Sequence, residues 1–230
     1  MKQNLLQTLQ RPSARTARNE TVAQIQQAAL EEFSLHGYKG ASTQSIAKRA
    51  GLTKQHLHYY IKGKEALYEE LLYTVLQGWS DTFDFDLLSD DPAQALASYV
   101  RKKLDFALDQ PELSRLFTNE VLSGGTNLGK YWPIAVRVTQ RKVDVINRWI
   151  AKGLMRPLDA HVLLMQIWGI TQHYADYGVQ VRVMLGKTAD SPIEREPIAR
   201  EIVQFVLLGC GLEHGPTWSE SAVNKAPRQH

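Results

Sequence analysis

A chain of 230 residues, 43% hydrophobic and 22% charged, has enough apolar material for one large core or two smaller ones. No apolar run reaches ~18 residues, and the N-terminus lacks the apolar stretch of a signal peptide, so a cytoplasmic protein without membrane spans is expected. One cysteine, Cys210, excludes an internal disulfide and a Cys-rich metal site.

The net charge of +3 is unevenly spread. Residues 1–65 hold ten Lys/Arg against four acids, or +6, which leaves −3 for the remainder. A basic head on an acidic body is the electrostatic footprint of a nucleic-acid-binding module joined to something else. Residues 1–17 read as a flexible basic arm containing Pro12 and Ser13, which lies along phosphates or is idle. A helix is predicted from near Asn19 or Thr21, with Val22, Ile25, Ala29, Leu30 and Phe33 as its apolar stripe and residues 36–38 as its end.

Residues 42–67 predict two short helices around a tight turn, then the start of a third. Ile46, Ala47 and Ala50 have helical spacing, and Ser42 or Thr43 is placed to cap them. Gly51 supplies the positive-φ position that ends the first helix. Thr53 caps the second, with Leu57 and Tyr60 as its inward positions. This is the pattern of a helix-turn-helix, whose second helix enters the DNA major groove. Thr53, Lys54, Gln55 and His56 crowd the first turn of that helix with hydrogen-bonding groups suited to base edges. Lys54, Tyr59 and Lys64 are candidate phosphate contacts. Thr43, Gln44 and Tyr60 complete the candidate DNA-binding set. The alternative, an ordinary α-hairpin with a solvated polar face, accounts for the polar residues alone but not for the whole spacing.

The ordered set Thr43, Ile46, Ala47, Ala50, Gly51, Leu52, Thr53, Leu57, His58, Tyr60, Lys64 and Leu67 resembles the DNA-binding domain of the TetR family of transcriptional repressors. Ile61, Lys62–Gly63 and His58 depart from the residues usual in that family. The resemblance implies an N-terminal three-helix head, here 18–63, and a helical ligand-binding and dimerisation domain, here 64–213. Residues 214–230 are expected to form a flexible tail.

The second domain predicts helices over 64–83, 92–109, 111–122, 132–152, 159–185 and 193–211, with no period-2 segment of useful length. The fold is therefore expected to be all-α. The helix over 132–152 shows a basic face of Arg137, Arg141, Lys142 and Arg148. The eighth and ninth predicted helices, 159–185 and 193–211, are apolar on more than one side and are expected to form a homodimer interface. Ile198, Ile202, Phe205, Val206, Gly209 and Leu212 mark the last of them. A two-fold dimer would read a palindromic operator. Trp168, Gln172 and Asp176 recur at i, i+4 and i+8, with Tyr174 beside them; Arg115, Phe117 and Glu120 lie within two turns; and Trp79 stands on the fourth predicted helix. These could line a cavity for a small flat polar ligand. On the residues alone, core aromatics and an Arg115–Glu120 ion pair are the favoured reading.

Segments 99–125 and 165–186 resemble the branch of the TetR family that regulates pyrimidine utilisation and binds uracil or thymine. That resemblance implies a ligand pocket with Trp79 and Gln172, and with Arg115, Glu120 and Tyr174 around them. No cofactor or metal is expected: His56 and His58 face different ways, His161 and His173 lie too far apart, and Cys210 reads as a small buried residue. The function expected is a ligand-responsive repressor that binds operator DNA. The alternatives are the same type of regulator with another effector, such as a purine or a drug-like molecule, an enzyme or carrier, or a DNA-binding protein without an effector. No nucleophile–base spacing supports an enzyme.

Overall fold

The structure, a computed structural model, describes residues 14–82, 90–188 and 191–212. The expected arm up to residue 13 and the expected tail from 214 lie outside the described residues. Every element among the described residues is helical, as the sequence pattern predicts. The helices are α1 (Ala14–Gly40), α2 (Thr43–Arg49), α3 (Lys54–Tyr60), α4 (Lys64–Thr82), α5 (Pro92–Asp109), α6 (Pro111–Leu122), α7 (Trp132–Ala151), α8 (Ala160–Asp176), α9 (Gly178–Met184) and α10 (Arg195–Gly209). A single 3-10 turn, Thr126–Leu128, follows α6.

Two boundaries differ from expectation. First, α1 begins at Ala14, so residues 14–17, expected in the arm, are helical, and it runs to Gly40 through a kink at Gly37, where φ is 65°. Second, the helix expected over 159–185 is two helices. Tyr177 leaves helical geometry at ψ 26°, and Gly178 opens α9. The Arg182 guanidinium donates to the Gly178 carbonyl at 3.1 Å, and a Cβ at Gly178 would meet that guanidinium at 3.2 Å. A side chain at position 178 would press on the end of that arginine, so glycine leaves it room to fold back onto the carbonyl.

The chain divides into two compact units. One contains α1–α4, α6 and the 3-10 turn; the other contains α5, nearly all of α7, and α8–α10. The core of the first unit buries Phe33 of α1, Ile46 of α2, Leu57 of α3, Leu72 of α4 and Leu116 of α6 completely. Each such side chain contributes roughly 1.5–3 kcal/mol by leaving water. Three helices of the head alone could bury little, and α4 and α6 supply the missing apolar faces. Phe33, Tyr38 and Tyr68 cluster with ring centroids 4.8–6.3 Å apart. In the second unit α5 packs against α8 and α10. Trp149 of α7 and Leu164 and Ile167 of α8 are fully buried in this unit.

Candidate nucleic-acid interface and effector residues

The helix-turn-helix is built from local hydrogen bonds. Ser42 caps α2: its hydroxyl accepts from the Ser45 amide at 3.0 Å, and the Ser45 hydroxyl accepts from the Ser42 amide at 3.1 Å. The two donors satisfy orphan groups reciprocally, as a capping box does. At the other end Gly51 has φ 68°, the Leu52 amide donates to Ala47 O at 2.8 Å, and the Gly51 amide donates to Lys48 O at 3.2 Å. This is a Schellman ending, and it sets the turn. The Thr53 hydroxyl then accepts from the His56 amide at 3.1 Å and starts α3. Leu57 is fully buried, which fixes the roll of α3. Lys54, Gln55, His56 and Tyr59 are left exposed on it, as is Gln44 on α2, while Thr43 and Tyr60 are half-buried.

Two charged groups brace this motif. Arg49 of α2 pairs with Glu31 at 2.9 Å and with buried Glu32 at 2.7 Å, both on α1. Burial pushes the Glu32 carboxyl up, but hydrogen bonds from Ser45 and Arg49 outweigh it and hold the group below the usual carboxylate range. Arg18 of α1 lies over the rings of Tyr59 and Tyr60, 5.6 and 5.8 Å from their centroids.

Lys64, expected at the phosphates, has partners within the protein. Its ammonium donates to Tyr38 O at 2.8 Å and Ala41 O at 3.0 Å, and it sits 4.3 Å from the Tyr38 ring centroid. Two of its three donors are therefore committed to the C-terminal end of α1, and one remains. Thr53 gives one acceptor site to the cap and keeps its O–H donor, while Gln55 has both donor and acceptor on an exposed side chain.

The effector candidates fall into the two units. In the first, Trp79 of α4 meets Phe117 of α6 edge-to-face at 4.5 Å. Glu120 is buried, and its carboxylate accepts from Tyr68 Oη at 2.9 Å, from the Asn127 amide at 2.8 Å and from Asn127 Nδ2 at 3.1 Å. These three donors tie Glu120 to α4 and to the 3-10 turn and take most of its acceptor capacity. Arg115 donates to Glu112 at 3.0 Å. In the second unit, Trp168 Nε1 donates to Tyr99 Oη at 2.7 Å and Gln172 donates to Asp176 at 3.1 Å. Tyr174 is half-buried against His173, and burial raises its phenol pKa. Among the described residues no cluster of His, Cys, Asp and Glu is placed to hold a metal ion. Cys210 is fully buried, and burial pushes its thiol up to about 11.

Lysines escaped the sequence reading in a different way. Lys142, assigned to an exposed basic face of α7, is buried, and so is Lys103 of α5. A signal was present for Lys103: it falls on the inward stripe with Tyr99, Val100 and Ala107.

A capped helix-turn-helix with a polar, exposed second helix, joined to a further helical unit, defines a DNA-binding transcriptional regulator. The family described as bacterial regulatory proteins, tetR family, matches residues 25–71, and that described as YcdC-like protein, C-terminal region, matches residues 72–213. The chain belongs to the TetR family of transcriptional regulators. It is 32% identical over 186 residues to the HTH-type transcriptional regulator RutR of Escherichia coli K12, spanning 80% of this chain and 88% of that one. It is 28% identical over 109 residues to the probable HTH-type transcriptional regulator YttP of Bacillus subtilis, covering 46% and 53% of the two chains. In fold it is similar to the TetR family regulator PfmR of Thermus thermophilus, at TM-score 0.65 and 19% identity over 80% of this chain and 97% of that one. It is also similar to AibR solved with isovaleryl coenzyme A and operator DNA, at TM-score 0.61 and 17% identity over 79% and 95%. The chain is a regulator, not an enzyme. Among the described residues no helix is long and apolar enough to cross a membrane.

Proposed function

We propose that this chain is a homodimeric repressor that leaves a palindromic operator when a small flat catabolite, such as uracil or thymine, binds it. The observation that carries the reading is α4. At its start Lys64 ties it to the α1–α2 junction, and 15 residues on, ~22 Å along the helix at 1.5 Å per residue, Trp79 packs on Phe117. A tilt imposed at Trp79 would therefore reach the helix-turn-helix through a rigid rod bolted to it. The same reading makes Thr43, Gln44, Thr53, Lys54, Gln55, His56, Tyr59 and Tyr60 the DNA surface, with Gln55 offering donor and acceptor to adenine. It makes α8 and α10 the dimer surface, because Val162, Met165, Phe205 and Leu208 are exposed apolar residues on them. A cytoplasmic location belongs to it as well. The likeness to RutR supports a regulator of this branch, and AibR is a fold relative solved with both an acyl coenzyme A and an operator.

The test uses an operator selected from random DNA by the pure protein. Uracil and thymine should weaken its binding about tenfold or more, and operator should weaken ligand binding by the same factor. Trp79→Ala, in one unit, and Gln172→Ala, in the other, should bind operator normally but no longer release it. Wild type indifferent to every pyrimidine would replace the effector with a purine or another catabolite. Variants that release as wild type does would remove those residues from the response.

A further inference from the structure

Arg18 stands on the second turn of α1, which begins at Ala14 and so starts ahead of the apolar stripe. Its guanidinium carbon lies over two rings of α3, 5.6 Å from the Tyr59 centroid and 5.8 Å from that of Tyr60. The contacts continue along the helix. Tyr59 meets Tyr60 edge-on at 5.1 Å, with an interplanar angle of 86°, and Tyr60 leans on His56 at 5.4 Å. His56 precedes the two tyrosines by three and four residues, so the three rings share one side of α3. A cation from α1 thus ends a row of rings that reaches back to the first turn of α3.

Such a row has a use at a DNA surface. Burial of Leu57 fixes the roll of α3 but leaves its outward rings free to turn, and Tyr59 is 69% exposed. A ring that turns freely must be ordered when it meets DNA, and that ordering costs affinity. A guanidinium is planar and weakly hydrated, so it rests on a ring face while its charge still faces water. Held from a second helix, it restrains both tyrosines before any partner arrives. Tyr60 is half-buried and carries the restraint on to His56. α1 therefore has a part in setting the outward face of α3, although it contributes no residue to the turn or to either helix of the motif.

We propose that Arg18 is a positioning residue of the DNA surface. It pre-orders Tyr59, Tyr60 and His56, and Tyr59 then meets the phosphate backbone of the operator with its hydroxyl. The inference rests on the reading of α3 as the helix that enters the major groove. It adds to that reading a residue that acts through the rings and not by its own contact with DNA.

Fluorescence anisotropy with the selected operator, at several salt concentrations, tests it on the full chain. Arg18→Met should weaken operator binding about fivefold. The same change made in a Tyr59→Leu background should cost clearly less, because the two residues act as one unit. Arg18→Lys should restore most of the affinity, since an ammonium is also drawn to a ring face. The log–log salt slope of Arg18→Met should change by much less than the ~0.9 that a lost phosphate contact removes, and its melting temperature should match wild type. Equal losses in both backgrounds with a slope flattened by ~0.9 would make Arg18 a phosphate contact and overturn the positioning role, with the DNA surface left standing. A lower melting temperature with operator affinity unchanged would overturn it too, as a contact that only steadies α1 on α3. Gln55→Ala touches neither ring and reports on α3 itself: if it, Tyr59→Leu and Arg18→Met all bind operator as wild type does, the reading of α3 fails together with the inference.

Discussion

Lys64 shows how a residue placed by pattern in a DNA surface can belong to the scaffold beneath it. The carbonyls of Tyr38 and Ala41 close the C-terminal end of α1, where the helix dipole is negative, and the Lys64 ammonium meets both. Its removal leaves two half-buried acceptors and a ring face without their cation. Hydrogen bonds to charged groups are worth ~1.5–3 kcal/mol, so Lys64→Met should lower the stability of the chain by about 2 kcal/mol. Chemical denaturation reads that loss. The salt dependence of operator binding should stay as in wild type, because a lost phosphate contact would flatten the log–log slope by ~0.9. A flattened slope with unchanged stability would return Lys64 to the phosphates. Sequence placed this lysine correctly on the chain but could not show its partners, which lie 26 and 23 residues away.

At the scale of the element, α2 is held to α1 by charge. Arg49 reaches Glu31 and Glu32, and Glu32 is also bonded by Ser45. The folded-state pKa of Glu32 lies below its unfolded value. The stabilisation is thus fully present above the unfolded pKa and is lost as pH falls through the folded one. As pH falls below the usual carboxylate range the first helix of the motif should loosen from α1, and Glu32→Gln should already lack this contribution at neutral pH. Melting temperature followed against pH checks it: the variant should start lower and fall less steeply, and parallel curves would assign the acid transition to other carboxylates. The helix-turn-helix itself was legible because its signals act within five residues: Ser42 with Ser45, Gly51 with Leu52 and Ala47, Thr53 with His56. The break after α8 was not, since Tyr177 carries no breaker chemistry of its own and the glycine after it serves Arg182 nine residues before Ser191, whose carbonyl also binds that arginine at 3.1 Å. The bonds of Glu120 to Tyr68 and of Trp168 to Tyr99 were not legible, because those partners lie 52 and 69 residues away.

At the scale of the whole molecule, reading a palindrome needs two recognition helices spaced by about 34–36 Å, which only a two-fold dimer supplies. Sequence periodicity drew the stripe of the last helix through Ile202, Phe205, Val206 and Gly209 without separating its two sides. The structure separates them: Ile202, Val203 and Val206 are buried within the chain, while Phe205 is 70% and Leu208 60% exposed. On α8 Met165 is 58% exposed, and Gly169 has open space where a side chain would stand. Phe205 therefore distinguishes folding from assembly. A carboxylate there meets water in a single chain and leaves its fold intact, but in a dimer that covers this face it becomes a buried ion without a partner, which is strongly unfavourable. Phe205→Glu should sediment as a helical monomer and lose operator binding. Leu35→Glu, a similarly exposed position on α1, should remain dimeric. A Phe205→Glu protein that sediments as a dimer would place the interface on another face of the molecule.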